Sequence, residues 1–346
     1  MSGFVPGIEL SRSFYTEVVG PLATPYPHSA ALVGPGSEVL EFDTERSTDH
    51  DWGPRVLLFV DPHRVEEVEE KVRAGLPDDF GGYPTVFGPY DRRRHGVTVT
   101  AAGPWLRERL GFDPRQSVTL LDRLATPWQS MAEMTGGEVF HDGLGDLGAA
   151  RTALRWYPDD VWRYVMAGQW RRIAQEEGFA GRCAEVGDEL GSAVVAARLA
   201  REVMRLALLQ RRRYPPYTKW LGSALNRLSG AAELGEALKR AVAARTWAAR
   251  EEGLGAAYER VASWHNRLAL TEPLEGKVRP LFGRPFQVIG GDRFADALLD
   301  SITDPQVGRL PQVGCIDQLC DNPDILVRAT AARSVTAAAL TLTDHT

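Results

Sequence analysis

Two short apolar segments, residues 29–34 and 55–60, are typical of β-strands, and the polar stretch between them restricts how the chain can fold. Gly36 and Ser37 come directly after the first segment and predict a tight turn there. A glycine lets the backbone approach a ligand closely, and a serine offers an N–H and a hydroxyl as hydrogen-bond donors. The pair therefore predicts either a phosphate-binding turn or a plain tight turn, and these two residues alone leave both open.

Two carboxylates, Asp49 and Asp51, stand before the second apolar segment. Because side chains on a strand alternate between its faces, we expect the two carboxylates on one face, about 7 Å apart along the backbone. His50 would then point to the opposite face, as a packed or hydrogen-bonded histidine. Two carboxylates this close to each other repel unless cations bind to them, and pairs of divalent ions commonly bind a phosphate chain. The pair predicts an Mg²⁺ site; the alternative is a polar turn in which Asp49 accepts backbone N–H groups.

This arrangement resembles the polymerase-β-like nucleotidyltransferase superfamily, in which a glycine-serine pair follows the first strand and an acidic pair lies on the next. Gly36 and Ser37 match the first element, and Asp49 and Asp51 match the second. The wider chain resembles an uncharacterised actinobacterial family that joins such a domain to a helical carboxyl domain similar to that of kanamycin nucleotidyltransferase. The resemblance implies phosphate binding by Gly36 and Ser37, Mg²⁺ held by the two carboxylates, and ATP as co-substrate.

The chain departs from the superfamily at a third position, where a carboxylate on a later strand often activates the acceptor hydroxyl. Thr98 occupies the expected place in the predicted strand 96–101, and threonine cannot accept a proton at neutral pH. In kanamycin nucleotidyltransferase-like enzymes the base comes from the helical domain, so we take Asp188 and Glu189, in an acidic stretch, as candidates for the base or an additional ligand. The alternative is a solvated acidic helix surface.

Two basic residues are further candidates for binding the nucleotide. Arg46 precedes the acidic pair and could reach phosphate oxygens, although a solvated loop explains it equally well. Lys219 follows a rigid proline corner, between Tyr217 and Trp220. The helical domains that the chain resembles use a lysine on phosphate and an aromatic ring near the base. An ordinary surface lysine is the alternative.

The order of strand and helix patterns predicts two domains in the 346 residues. Residues 1–120 alternate strands with helices and predict an α/β amino domain, a small mixed sheet with helices. Strand patterns then cease, and residues 121–346 predict an all-α carboxyl domain with an irregular segment over 272–292. Within it, residues 231–251 and 256–270 read as two separate helices.

The composition excludes several classes of protein. The net charge of −6 argues against a dedicated nucleic-acid surface, while small anions such as ATP remain admissible. No apolar run approaches the length of a membrane span, and the amino terminus lacks the layout of a signal peptide. The three cysteines do not form a disulfide framework or a paired zinc motif. We therefore expect a cytoplasmic protein with no membrane association, and a homodimer is left open.

The leading hypothesis is an Mg²⁺-dependent nucleotidyltransferase that moves AMP from ATP to a hydroxyl of a small molecule, related to antibiotic or secondary metabolism. A second hypothesis, supported by Thr98, is a nucleotide-binding or regulatory protein that has lost turnover. A third is a repurposed scaffold that performs other chemistry in a biosynthetic pathway. An HD-type phosphohydrolase is disfavoured because His50-Asp51 enters a strand, whereas that fold places further histidines and acids on helices.

Overall fold

The computed structural model describes residues 4–49, 52–88 and 94–342. The chain divides into two compact units. Unit 1 comprises Met1–Asp122 and Gln129–Arg155, and unit 2 comprises Arg123–Trp128 and Trp156–Thr346. The division predicted at residue 120 assigned residues 129–155 to the carboxyl domain, whereas in the structure they pack with unit 1.

Unit 1 is built on a four-stranded mixed sheet consisting of β1 (His28–Leu32), β2 (Val56–Val60), β3 (Val97–Thr100) and β4 (Glu138–Asp142). The strands lie in the order β3-β2-β1-β4. β1 pairs antiparallel with β2 and with β4, and β2 pairs parallel with β3. β1 is buried along its whole length, as expected for a central strand.

One face of this sheet packs against helices through an apolar core. Alternate residues of β2, namely Val56, Leu58 and Val60, contribute to this core. Val68 and Val72, which lie one turn apart on the helix Val65–Gly75, pack against them. Phe14 at the end of the first helix completes the same cluster. The period-2 pattern of the strand and the i, i+4 spacing of the helix therefore produce a single contiguous core.

Short elements fill the rest of this part of the chain. The α-helices up to residue 155 are Gly7–Phe14, Gly20–Ala23, Val65–Gly75, Ala102–Leu110, Leu120–Ala125, Trp128–Thr135 and Asp146–Leu154. Single helical turns of other types are Tyr15–Val19 (π) and Glu38–Leu40, Glu45–Asp49 and Pro62–Arg64 (3₁₀). Two-residue strands pair as Asp79–Phe80 with Tyr83–Pro84 and as Val86–Phe87 with Arg94–His95.

The strand β4 corrects the prediction that strands cease after residue 120. Its sequence, EVFHD, has only two adjacent apolar residues and therefore shows no clear alternation. The strand forms because it pairs with the buried strand β1, in a register that brings Leu32 opposite Glu138. A contact between residues about 100 positions apart leaves no local signal in the sequence.

Unit 2 is mainly helical. Its longer helices are Asp159–Ala174, Phe179–Glu185, Glu189–Gln210, Thr218–Asn226, Ala232–Ala243, Trp247–Leu268, Gly291–Asp300 and Ala329–Ala339. Its shorter elements are the helical turns Pro305–Gly308, Ile316–Leu319 and Pro323–Leu326 and the strand pair Arg279–Pro280 with Gln287–Val288. The coarse expectation of a small mixed sheet with helices followed by a mostly helical region is confirmed.

One buried carboxylate in unit 2 is surrounded by several polar and cationic partners. Glu202, only 1% exposed, accepts hydrogen bonds from Gln169, Arg172 and Arg201. Arg205 lies 3.6 Å from the same carboxylate. Several cations around one buried carboxylate offset the cost of removing its charge from water, and they keep the pKa of Glu202 below its usual range against the effect of burial. Among the described residues, no helix combines the length and apolar character that a membrane crossing requires.

Candidate functional site

The candidate site lies at one edge of the sheet in unit 1. β1 ends at this edge, whereas β2, β3 and β4 all begin there, because β1 is antiparallel to β2 and β4 and β2 is parallel to β3. We call this region the loop edge and define it by residues 33–38, 52–55, 95–96 and 133–137. The Gly34 N–H donates to the carbonyl of Glu133 over 3.0 Å, and the Gly137 N–H donates to the carbonyl of Val39 over 2.7 Å. These bonds tie the turn after β1 to the segment before β4.

Gly36 is found in the turn after β1, as the sequence predicts, with φ +151°, a conformation that is strained for any residue with a side chain. A Cβ at this position would lie 2.2 Å from Nη2 of Arg55 and 2.7 Å from Oε1 of Glu38. The Arg55 guanidinium pairs with the buried Glu38 carboxylate and donates to the carbonyl of Pro35 over 2.8 Å. The space over Gly36 is thus occupied by an ion pair of the protein itself.

Ser37 begins the 3₁₀ turn Glu38–Leu40. Its carbonyl accepts the N–H of Phe42 over 2.8 Å, which closes the turn. The side chain is half-buried, and no hydrogen bond to its hydroxyl occurs within the described part of the chain. Ser37 therefore retains the donor capacity on which the phosphate-binding prediction rests.

The loop after this turn is organised by its own hydrogen bonds. The Asp43 carboxylate accepts the N–H of Gly7 over 2.7 Å and the indole N–H of Trp52 over 3.2 Å. Ser47 accepts the N–H of Thr44, and the Thr48 hydroxyl donates to the carbonyl of Glu45. The hydroxyls of residues 47 and 48 are therefore used within the loop.

Asp49 ends the 3₁₀ turn Glu45–Asp49, seven residues before β2 begins at Val56. The prediction that it lies on the strand is wrong, because the loop's internal hydrogen bonds hold it in a helical turn. The side chain is exposed. Asp51 and His50 lie outside the described residues, so the alternation argument that placed the two carboxylates on one face has no support here. Arg46 is exposed in the same turn as Asp49.

The ligand atoms that this loop offers can be compared with those that Mg²⁺ requires. Mg²⁺ prefers oxygen ligands and usually takes one or two carboxylates together with phosphate oxygens and water. The exposed Asp49 carboxylate fits that requirement. Within the described residues, no group of three or more His, Cys, Asp or Glu side chains lies close enough to form a metal cluster. The metal assignment of Asp49 and Asp51 stays a prediction.

Glu133 was missed by the sequence analysis and lies at the loop edge. It belongs to the helix Trp128–Thr135, and its carboxylate accepts a hydrogen bond from the Gln129 amide over 2.7 Å. Burial raises the pKa of the Glu133 carboxyl, and the hydrogen bond from Gln129 and the charges of Arg109 and Arg55 oppose this shift. Glu133 is therefore a half-buried carboxyl within electrostatic reach of the arginine that covers Gly36.

Arg151 fixes the end of the helix that carries Glu133. Its guanidinium donates to the carbonyls of Gly136 and Thr135 over 2.5 and 2.8 Å, and so it satisfies carbonyls that the helix leaves without partners. Gly137 follows with φ +62°, and a Cβ there would lie 1.9 Å from the carbonyl oxygen of Leu32. Glycine at 137 is thus required for β4 to approach β1, and this approach holds Glu133 at the loop edge.

Thr98 lies on β3 as predicted, opposite Leu57 of β2, with an exposed side chain. The place at which the superfamily often has a carboxylate is thus an exposed threonine. The sequence indicated Glu133 only weakly, because an acidic residue in a predicted helical segment is usually taken to lie on the solvent-exposed face of the helix.

The candidate residues Asp188, Glu189 and Lys219 all belong to unit 2. Asp188 caps the helix Glu189–Gln210, and its carboxylate accepts the N–H of Gly191 over 2.7 Å. Glu189 pairs with the buried Arg250 over 2.5 Å. Both carboxylates therefore have structural partners within their own unit.

Lys219 is exposed, with its ammonium 4.7 Å from the centre of the Trp220 ring. Lys219 is the second residue of the helix Thr218–Asn226, which begins just after the prolines of the predicted corner. A cation over an aromatic face is a stable surface arrangement in its own right. The nucleotide-binding role of Lys219 remains a prediction.

Residues 124–221 match the family model DUF4037, described as a domain of unknown function. The matched region includes Glu133, strand β4 and the helices up to Leu221. No curated protein matches the chain.

Proposed function

We propose that the protein is an Mg²⁺-dependent nucleotidyltransferase that moves AMP from ATP to a hydroxyl of a small molecule. The observation that supports this proposal best is the convergence of Gly36, Ser37 and Glu133 at the edge of a small mixed sheet, with the Asp49 loop following directly. The turn with Gly36 and Ser37, followed by the loop that carries Asp49, matches part of the order of elements on which the resemblance to nucleotidyltransferases rests. A nucleotidyltransferase-like identity of unit 1 is part of the same proposal.

In this proposal the residues of unit 1 have distinct roles. The N–H and hydroxyl of Ser37 donate hydrogen bonds to phosphate oxygens, and Gly36 keeps the turn compact. Asp49, with Asp51, binds Mg²⁺, which when bound neutralises phosphate charge. Arg46, which lies in the same turn as Asp49, binds phosphate oxygens as well in this proposal.

We assign the general base to Glu133 rather than to Asp188 or Glu189. The two acids in unit 2 are held by a helix cap and by an ion pair, whereas Glu133 lies beside the proposed phosphate turn. A carboxyl with a raised pKa is a stronger proton acceptor than an ordinary one, and general bases work best when their pKa approaches the operating pH.

The reaction then balances as an in-line displacement. Glu133 takes the proton of the acceptor hydroxyl, and the acceptor oxygen forms a bond to the α-phosphorus of ATP. The bond between the α-phosphorus and the bridging oxygen breaks, and pyrophosphate leaves with the electron pair. The products are an adenylylated acceptor and pyrophosphate.

A nucleotide-binding or regulatory protein is the second candidate, and the exposed Thr98 favours it. If no carboxyl replaces the missing one, ATP would bind without turnover. Both candidate proteins bind ATP, but only the nucleotidyltransferase converts it to products, so a measurement of turnover distinguishes them.

The experiment is pyrophosphate release from ATP and Mg²⁺ across a panel of hydroxyl-bearing acceptors, for the wild type and for Glu133→Gln. The proposal expects acceptor-dependent release from the wild type and a loss of roughly 10²–10⁴-fold in Glu133→Gln, the usual contribution of a general base. ATP binding without release by any acceptor would favour the regulatory protein. Equal release by both proteins would remove Glu133 as the base.

A further inference from the structure

The helical unit contains a groove of about 700 Å³ that the proposed reaction does not use. Its floor is one face of the helix Trp247–Leu268, on which the lining residues 256, 260, 263 and 267 follow the spacing of helical turns. The helix Ala232–Ala243 forms one wall, and residues 275–277 form the other. The volume is within the range of small-molecule sites.

Small side chains open this groove along its floor and walls. Ala256 and Ser263 lie on the floor, Ala237 on the helical wall and Gly276 on the opposite wall. Asn266 holds the second wall in place, because its amide donates to the carbonyl of Leu274 over 2.8 Å and accepts the Leu274 N–H over 3.0 Å. The groove is thus a feature of the packed helices and of a loop that is fixed to them.

Two ion pairs lie in the middle of the groove. Arg260 pairs with Glu233 over 2.9 Å, and Lys277 pairs with Glu259 over 2.7 Å. Glu275 accepts the backbone N–H of Lys277 over 3.0 Å. A ligand therefore meets little net charge from the two ion pairs at the centre.

The surroundings of Arg240 and Arg267, which also line the groove, differ from those of the ion-paired residues. Within the part of the chain that the structure describes, no carboxylate lies within ion-pair distance of Arg240 or of Arg267. Arg267 is instead bound to the hydroxyl of Ser263 over 3.2 Å. Both guanidiniums line the groove and are exposed, so each can bind an anionic group.

The two arginines lie towards opposite ends of the groove. A Cβ on Gly253 would lie 2.6 Å from the backbone nitrogen of Ala241, and Glu233 pairs with Arg260, so Arg240 lies nearer to the start than to the end of the helix Trp247–Leu268. Arg267 lies close to the end of that helix, eleven residues beyond Ala256, which corresponds to about 16 Å along the helix axis at the rise of an α-helix. A single small anion cannot span that length, whereas an elongated molecule can.

We infer that this groove binds an elongated small molecule that carries an anionic group at each end, with Arg240 holding one end and Arg267 the other. The middle of the groove, between the two arginines, accommodates the connecting part of the molecule. This inference does not depend on the nucleotidyltransferase proposal, because it concerns unit 2 alone.

The test is isothermal titration of the full-length protein, in EDTA, with alkane-α,ω-bisphosphonates of increasing chain length. EDTA removes divalent ions, so that binding at the proposed Mg²⁺–ATP site does not contribute. We expect saturable one-to-one binding that strengthens with chain length up to an optimum. Because guanidinium–phosphonate bonds are charge-assisted, Arg240→Ala and Arg267→Ala should each weaken it roughly tenfold.

Arg245→Ala is the matched control. Arg245 is exposed, lies in the short segment that connects the two helices, and does not line the groove. This variant should bind like the wild type. The inference is overturned if no bisphosphonate binds saturably, if affinity does not depend on chain length, or if Arg240→Ala and Arg267→Ala bind as tightly as Arg245→Ala.

Discussion

The guanidinium of Arg55 lies where a side chain on residue 36 would have to be, 2.2 Å from the position of a Cβ built on Gly36. This proximity explains why residue 36 is a glycine, which the sequence alone does not indicate. Arg55, the residue before β2, pairs with the buried Glu38 and donates a hydrogen bond to the carbonyl of Pro35. It therefore joins the turn after β1 to the next strand. Glycine is required at 36 so that this connection can form.

Gly36→Ala should therefore destabilise unit 1. We expect the free energy of unfolding to fall by about 2–4 kcal/mol, because the strained φ costs about 1–3 kcal/mol and the displaced Arg55 would leave Glu38 buried without its partner. Gly82→Ala is the matched control, since Gly82 also has a positive φ of +84° but a Cβ there meets no atom within 4 Å. Chemical denaturation of both variants measures the difference. Equal losses would show that contact with Arg55 contributes nothing.

Glu133→Gln should change the pH dependence of turnover. In the wild type, a base whose pKa is raised by burial is protonated and inactive at acid pH, so activity should rise as the pH passes through that raised pKa. Glutamine cannot accept a proton, so this rise should disappear together with most of the turnover. The melting temperature at neutral pH should not fall, because an amide avoids the cost of burying a charge. A variant that keeps the wild-type pH profile would contradict the assignment.

Asp188→Ala tests the structural role of that carboxylate. Loss of the cap on the helix Glu189–Gln210 should cost about 1 kcal/mol of stability, and Asp188→Ser should recover most of it, since serine also accepts the Gly191 N–H. Neither change should alter turnover by more than a few-fold, which we would measure by pyrophosphate release. A large loss of turnover in Asp188→Ser, with stability preserved, would instead support the predicted catalytic role.

His265 should remain neutral well below the usual range of histidine. Burial lowers its pKa to about 4, and its ring accepts the indole N–H of Trp170 over 3.2 Å. The stability that depends on the neutral ring is therefore present above the unfolded-state pKa of about 6.5 and is lost as the pH falls towards 4. Ring-proton NMR of the folded protein, with His265→Gln to assign the resonance, measures this pKa. A midpoint near 6.5 would contradict the buried, neutral ring.

The first two strands and the turn between them were predictable because their signals are local. Residues 29–34 overlap strand β1, residues 55–60 contain strand β2, and Gly36 lies in the turn after β1. Asp49 was misplaced because hydrogen bonds among its neighbours, such as that from the Thr44 N–H to Ser47, form a helical turn that apolar alternation cannot indicate.

Features that depend on distant parts of the chain were not predictable. The helix Trp247–Leu268 was predicted to be interrupted over residues 251–256, which include Gly253 and Gly255. The helix is continuous, and Gly253 is needed because a Cβ there would lie 2.6 Å from the backbone nitrogen of Ala241 in the neighbouring helix. Glu133 was missed for a related reason, since only the packing of its helix against the turn at Gly34 brings it to the loop edge.

The most direct test of the proposed function is isothermal titration of ATP with and without Mg²⁺, for the wild type and for Asp49→Asn. The account predicts that ATP binding to the wild type tightens with Mg²⁺, and that Asp49→Asn loses this gain, with affinity in Mg²⁺ lowered about tenfold or more. Identical Mg²⁺-dependent binding by the two proteins, or no ATP binding by the wild type, would contradict it.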